Sequence, residues 1–249
     1  MKIAALVYGE YREFEKAVKS WDIFKNLDID YYFSTWYTSH QTCKDLGIDK
    51  KIDVNHEMIN NFYPNSHIII NNIPSDLIFH GQNQRKILYH WGLLLNKLKE
   101  TNTEYDLIFV IRFDLFFILQ NEYKDEDIFP LGKLFEIRDS NLVCCRKDDD
   151  KISEAFFIGR YDSILKILTD SFNFEKNNIH VELTEYFVKN NIQTLNLLDF
   201  LFFFFVRPNS LENIDISNFE DFRKFGEAHA NLSQSEHDWI KAKQKEFNY

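Results

Sequence analysis

Arg112 and Asp114 stand two positions apart in Arg112-Phe113-Asp114, where the apolar run Asp106 to Ile111 ends and before Leu115 to Leu119 turns apolar again. A buried strand that surfaces at such a triplet delivers a guanidinium and a carboxylate to one place. A guanidinium there can neutralise phosphate charge directly, and a carboxylate can hold a divalent cation against phosphates or accept from sugar hydroxyls. An Arg–Asp pair that merely caps the strand end is the competing explanation. The loop Tyr8-Gly9-Glu10-Tyr11-Arg12 is a second candidate. Gly9 lets backbone approach a ligand, the helix that follows favours an anion at its N-terminus, and Arg12 can reach a diphosphate. A glycine turn beside a solvated arginine accounts for the same residues.

Asn178-Ile179-His180-Val181-Glu182 lies just ahead of a helix or opens it. At a helix start His180 and Glu182 can face one cleft, His180 as a metal ligand or substrate orienter and Glu182 as acceptor of a proton from a hydroxyl. A dipole-favoured acid beside a surface histidine is the plainer account. Glu154, with Asp150 just before it, enters the apolar segment Ala155 to Gly159 and so either lines a cleft or marks a strand edge.

These groups need a scaffold, and the hydrophobic periodicity supplies one. Lys2 to Tyr8 reads as a buried strand, Arg12 to Phe24 as a helix with Phe14, Ala17, Val18, Trp21 and Phe24 on one stripe, and Ile29 to Ser34 as a second strand. That order predicts two neighbouring parallel strands. His67 to Asn71 is a further strand. Gln82 to Leu98 is a helix with Ile87, Leu88, Trp91, Leu94, Leu95 and Leu98 inward. Asn141 to Cys145 and Ala155 to Gly159 read as short strands around a hydrophilic loop from Arg146 to Ser153. Tyr161 to Phe172 and Val181 to Lys189 read as helices, and Thr194 to Val206 as one buried strand. Together they give an α/β fold with a mixed, mostly parallel sheet flanked by helices, and ligands of such sheets bind outside the carboxyl ends of the strands.

The totals fit one domain. The chain has 249 residues, 45% hydrophobic and 27% charged, with 25 Phe, 7 Gly and 4 Pro, and it shows neither a repeat nor a Gly- or Pro-rich linker. We expect one domain over residues 1–207 and a helical extension over 208–249, packed on it or partly mobile, whose last helix runs from about Ser235 to Phe247. A net charge of −10 speaks against a large nucleic-acid footprint, because that affinity comes from Lys and Arg. The apolar start Met1 to Tyr8 meets Glu10 and Arg12 at once and reads as a strand and not a signal. The run Leu195 to Val206, broken by Asp199, is too short to span a bilayer as a helix. Cys43, Cys144 and Cys145 have no metal spacing, and adjacent Cys144 and Cys145 in a strand point to opposite faces, which suits reduced thiols in a cytoplasmic protein. His229 and His237 have no metal spacing either. No Gly-x-Ser-x-Gly elbow and no Walker-type loop is present, so hydrolase and kinase readings lose support.

The order of the motifs resembles a known family. Gly9-Glu10-Tyr11-Arg12-Glu13-Phe14 has the pattern G-x-x-R-x-F; Trp21 and Tyr32-Phe33-Ser34-Thr35-Trp36 follow, then Gln82, Gln84 and Arg85. Next come Tyr105-Asp106-Leu107-Ile108 leading to Arg112-Phe113-Asp114-Leu115, then Glu154 to Gly159 and His180-Val181-Glu182. Over residues 1–207 this is similar to the GT-A glycosyltransferases of bacteria and phages that build surface polysaccharides. The resemblance implies a GT-A-like (Rossmann-like) fold and sugar transfer from a nucleoside diphosphate sugar to a hydroxyl of a glycan or similar acceptor. Donor contacts would come from Gly9, Tyr11, Arg12, Ser34, Thr35, Gln84 and Arg112. Asp114, Glu154 and Glu182 would serve catalysis, and a divalent cation, Mn or Mg, would sit on Asp114 and His180. Two departures stand out: Arg112 replaces the first Asp of the usual D-x-D metal motif, and Glu154 stands where Asp is expected. A non-catalytic nucleotide- or glycan-binding protein of the same fold is the alternative these departures leave open.

Overall fold

The computed structural model describes residues 1–12, 14–43, 48–77, 83–119, 129–148, 151–175, 178–197 and 200–205. The expected C-terminal extension over 208–249, Gln82, Asp150, Asp199, His229 and His237 lie outside the described residues.

The apolar runs build one seven-stranded sheet whose central strands are buried on both faces. Its strands are β1 (Lys2–Tyr8), β2 (Asp28–Trp36), β5 (His67–Asn71), β6 (Leu107–Arg112), β8 (Val143–Asp148), β9 (Lys151–Arg160) and β10 (Thr194–Asn196), in the order β10-β8-β9-β6-β1-β2-β5. All neighbours pair in parallel except β9, which runs antiparallel to both β6 and β8. The expected α/β class and mostly parallel sheet are therefore observed.

Each face carries its own core. Ile3, Ala5 and Val7 of β1 pack with Phe14, Trp21, Phe24, Phe109, Phe117 and Phe156. This aromatic layer is where much of the phenylalanine goes, with edge-to-face pairs such as Phe14–Phe113 at 5.0 Å and Phe24–Phe117 at 5.3 Å. On the other face Ala4, Leu6 and Tyr8 meet three helices: α3 (Asn83–Glu100) through Trp91, Leu94, Leu95 and Leu98, α5 (Tyr161–Asp170) through Ile164, Ile167 and Leu168, and α6 (Ile179–Lys189) through Leu183 and Phe187. Cys144 enters the first core and Cys145 the second, as strand alternation requires.

Several boundaries differ from the sequence reading. The helix expected over Arg12 to Phe24 is a single α turn, α1 (Phe14–Ala17), wound on as a 3₁₀ helix over Val18–Phe24. Two bonds tie this tighter stretch to β7 (Leu115–Leu119): Trp21 Nε1 donates to the Leu115 carbonyl at 2.8 Å, and Ser20 Oγ accepts from the Phe117 amide at 2.9 Å. Much of the expected loop Arg146 to Ser153 is strand, because Lys147 pairs with Ile152 and Asp148 with Lys151 in the β8–β9 hairpin. The run Thr194 to Val206 is not one strand. β10 joins β8, whereas β11 (Leu201–Phe205) pairs antiparallel with β7 in a separate two-stranded sheet, and Leu197 and Phe200 are buried between them. A polar hairpin of β3 (Thr38–Cys43) and β4 (Ile48–Asp53), the short α2 (His56–Asn60) and α4 (Leu131–Ser140) complete the fold without having been expected. α2 buries only Ile59 and α4 only Leu134 and Ile137, too few apolar residues to leave a periodic signal.

Candidate functional site

Strand register brings the chemistry to one edge. Tyr8 is level with Ser34 on β2 and with Arg112 on β6, and Ile111 lies opposite Phe156 of β9. Because β9 runs the other way, its early residue Glu154 arrives where β1, β2 and β6 end. A cavity of about 410 Å³ opens at that edge. Tyr8, Gly9, Glu10, Arg12, Trp36, Arg112, Asp114 and Glu154 line it from the sheet side, Gln84, Lys86, Ile87 and His90 from α3, and Asn178, Ile179 and His180 from the start of α6.

The backbone of the first loop is specialised. Gly9 has φ 110° and donates its amide to the Ser34 carbonyl at 3.1 Å. Arg12 has φ 31°, a left-handed conformation that costs a residue with a Cβ about 1–2 kcal/mol. Its amide donates to Ser39 Oγ at 3.0 Å, and its guanidinium reaches Glu10 Oε2 at 2.9 Å and Asp114 Oδ2 at 3.4 Å.

Arg112 is the centre of an ionic network. Its Nε and Nη2 grip Asp114 in a fork, at 3.1 Å to Oδ1 and 2.9 Å to Oδ2, and its Nη1 lies 3.4 Å from Glu154 Oε1. Burial alone would lower the Arg112 pKa, but Asp114 and then Glu154 outweigh it and hold the guanidinium above its usual value, so it is a permanent cation. Both carboxylates are nearly inaccessible, Asp114 at 2% and Glu154 at 4% exposure. The Tyr8 hydroxyl donates to the Glu154 carbonyl at 2.8 Å, and burial pushes its pKa far up, keeping it a neutral donor. His180 Nδ1 is 3.2 Å from the Ile152 carbonyl and 3.1 Å from Glu154 Oε2. Both oxygens can only accept, so this nitrogen carries a proton; its hydrogen bond runs to the Ile152 carbonyl, and the buried Glu154 Oε2 lies beside it as a charge contact that forms no hydrogen bond.

Of the residues singled out by sequence, Gly9, Arg12, Gln84, Arg112, Asp114, Glu154 and His180 thus meet around one cavity. Four others lie behind its wall. Tyr11 packs on Phe14 and Phe113, with its hydroxyl 3.3 Å from Glu15 Oε1. Ser34 Oγ holds His90 Nδ1 at 2.8 Å, and Thr35 is fully buried. Glu182 is buried and accepts from Gln84 Nε2 and, at 2.6 Å, from the Glu175 amide. Sequence reasoning passed over Lys86 and His90. The signal for His90 was its three-residue step from Ile87 and six-residue step from Gln84 on α3, while Lys86 left none. His90 is held neutral by burial, its pKa down to about 3.

A divalent cation does not fit the residues as they stand. Asp114 gives both oxygens to Arg112 and one of them also to Arg12, and His180 Nδ1 is turned to β9. The Arg112 guanidinium also fills the space between Asp114 and Glu154 that such an ion would need. Among the described residues, no three His, Cys, Asp or Glu side chains converge in a metal-holding group.

No protein-family model matches the chain, and no curated protein matches it in sequence. Among solved structures it is similar to the apo-form glycosyltransferase GlyE of Streptococcus pneumoniae TIGR4, at 13% identity and a TM-score of 0.39, over 78% of this chain and 45% of that one. It is also similar to a glycosyltransferase involved in the glycosylation of the major capsid of PBCV-1, at 10% identity and a TM-score of 0.42, over 96% of this chain and 98% of that one. The chain therefore spans less than half the length of GlyE. No described helix is long and apolar enough to cross a membrane.

Proposed function

We propose that this chain is a GT-A-type glycosyltransferase that moves a sugar from a nucleoside diphosphate sugar to a hydroxyl of a glycan or similar acceptor. The observation that carries the reading is the meeting of Arg12, Arg112, Asp114 and Glu154 in one cavity at the carboxyl ends of β1 and β6, supported by the ordered motif resemblance in the sequence. The diphosphate lies against Arg12 and Arg112, whose charge-assisted hydrogen bonds strengthen as the leaving oxygen gains charge. Asp114 aims Arg112 and accepts from donor hydroxyls. Glu154 Oε2, which makes no hydrogen bond and has His180 Nδ1 3.1 Å away, takes the proton of the acceptor hydroxyl in an inverting transfer. Glu182 supports Gln84, which faces the donor.

Three carboxylates (Glu10, Asp114, Glu154) stand against Arg12, Arg112 and Lys86 in the cavity. The diphosphate is therefore held by local hydrogen bonds and not by a strong net field. Arg12, the more exposed guanidinium at 26%, exchanges its 3.4 Å contact with Asp114 for a phosphate oxygen.

Turnover over a panel of sugar nucleotides tests the reading. Glu154→Gln should lower kcat by about 10²–10⁴-fold and leave donor binding intact, while full activity in Asp114→Ala would remove Asp114 from the mechanism. The tight pairing of both carboxylates with Arg112 favours one other reading, a non-catalytic nucleotide or glycan binder. Donor binding with neither transfer nor diphosphate release in any metal would establish that reading, and steady diphosphate release would exclude it.

A further inference from the structure

We infer that Arg112 takes the place of a divalent cation between Asp114 and Glu154, so that the site works with a built-in cation and becomes a metal site only when the guanidinium is removed. The part of this that concerns the diphosphate rests on the donor reading above; the part that concerns the two carboxylates does not.

A cation bridging two acids must touch both and be held from opposite sides. The Arg112 guanidinium does this, with Nε and Nη2 on Asp114 at 3.1 and 2.9 Å and Nη1 toward Glu154 at 3.4 Å. Its two partners are buried acids, and burying a carboxylate without a paired charge is costly. Removing the guanidinium leaves two carboxylates facing a cavity open to solvent. One oxygen, Glu154 Oε2, is buried and makes no hydrogen bond, with His180 Nδ1 3.1 Å away, and so has lone pairs to give. Oxygen ligands of this kind suit Mn or Mg. A guanidinium differs from such an ion in three ways: it does not dissociate, it cannot be chelated, and its flat fork matches two phosphate oxygens.

The test uses the full chain, freed of metal, and Mn²⁺ alone as probe, with binding read by the loss of the free-ion electron paramagnetic resonance signal. Arg112→Ala should bind Mn²⁺ at least about tenfold more tightly than wild type, and adding Asp114→Asn should abolish the gain. Should Arg112→Ala not fold, Arg112→Gln removes the charge while keeping an amide within reach of Asp114 and should show the same gain. Arg112→Lys, which keeps the charge, should stay as weak as wild type. Equal Mn²⁺ binding by wild type and the neutral variants, or a gain in Arg112→Lys as large as in Arg112→Ala, overturns the inference.

A second arm measures wild-type affinity for UDP, GDP and dTDP in EDTA and in Mn²⁺. A difference below about threefold is expected, and one above about tenfold overturns the built-in-cation role. If none of the three nucleotides binds, the donor reading falls, and the Mn²⁺ comparison alone decides between guanidinium and metal.

Discussion

Lowering the pH from about 7 to about 5 should cost this protein close to 2 kcal/mol of stability through one residue, His90. The ring is 2% exposed, with Nδ1 2.8 Å from Ser34 Oγ and its centroid 4.1 Å from that of Trp36. Burial disfavours the imidazolium and pushes the pKa from 6.5 to about 3. Between those two values the unfolded chain binds a proton that the folded chain refuses. Stability is therefore full above about pH 6.5, falls as the pH drops below it, and levels off near pH 3. Over the window from pH 7 to pH 5 the linkage integral gives about 2 kcal/mol, roughly thirtyfold in the folding equilibrium. Urea unfolding at the two pH values, for wild type and His90→Gln, isolates the effect, since every other titrating group is common to both. The variant is less stable at neutral pH through lost packing, but its loss on acidification should be smaller than that of wild type by about 2 kcal/mol. Equal losses would show that His90 is hydrated and titrates normally, and the account of it as a permanently neutral wall of the cavity would fall.

Gly159→Ala should destabilise by about 1–3 kcal/mol, because the new Cβ would lie 2.8 Å from Ile164 Cδ1 and 3.4 Å from Val143 Cγ2. Thermal melts of this variant and of Gly159→Ala with Ile164→Val check it, the second change restoring part of the loss. Glu182→Ala removes the acceptor of both Gln84 Nε2 and the Glu175 amide and should cost about 1–3 kcal/mol. In turnover assays it should raise KM for the donor more than it lowers kcat. A fall confined to kcat would return Glu182 to the chemistry instead.

The parts of the fold that sequence reveals are those whose burial repeats. β1 and β6 are buried on both faces, β2 over its second half, and α3 along one stripe, and all four lie where their apolar residues put them. The run Thr194 to Val206 shows the limit of that signal. Its hydrophobicity says that it is buried but not against what, and the choice of β8 for one piece and β7 for the other depends on contacts more than 40 residues away in the chain. The same holds for Ser20 and Trp21. Their bonds to Phe117 and Leu115 accompany a 3₁₀ winding that a helical stripe of Phe14, Trp21 and Phe24 does not betray.

For the site, local spacing was informative about Arg112 and Asp114 because the end of a strand fixes both, but it said little about what they face. Glu154 reaches them only through the reversal of β9. In an all-parallel sheet a residue early in a strand sits at the edge opposite the ligand. Here β8 and β9 form a hairpin, so β9 starts at the ligand edge. The few residues between the two apolar runs carried that information, since a short connection forces antiparallel pairing; read as a hydrophilic loop, they hid it. The acid that completes the Arg112 network is thus supplied by topology, and any change that lengthens or slips the β8–β9 hairpin should disturb the site before it disturbs the core.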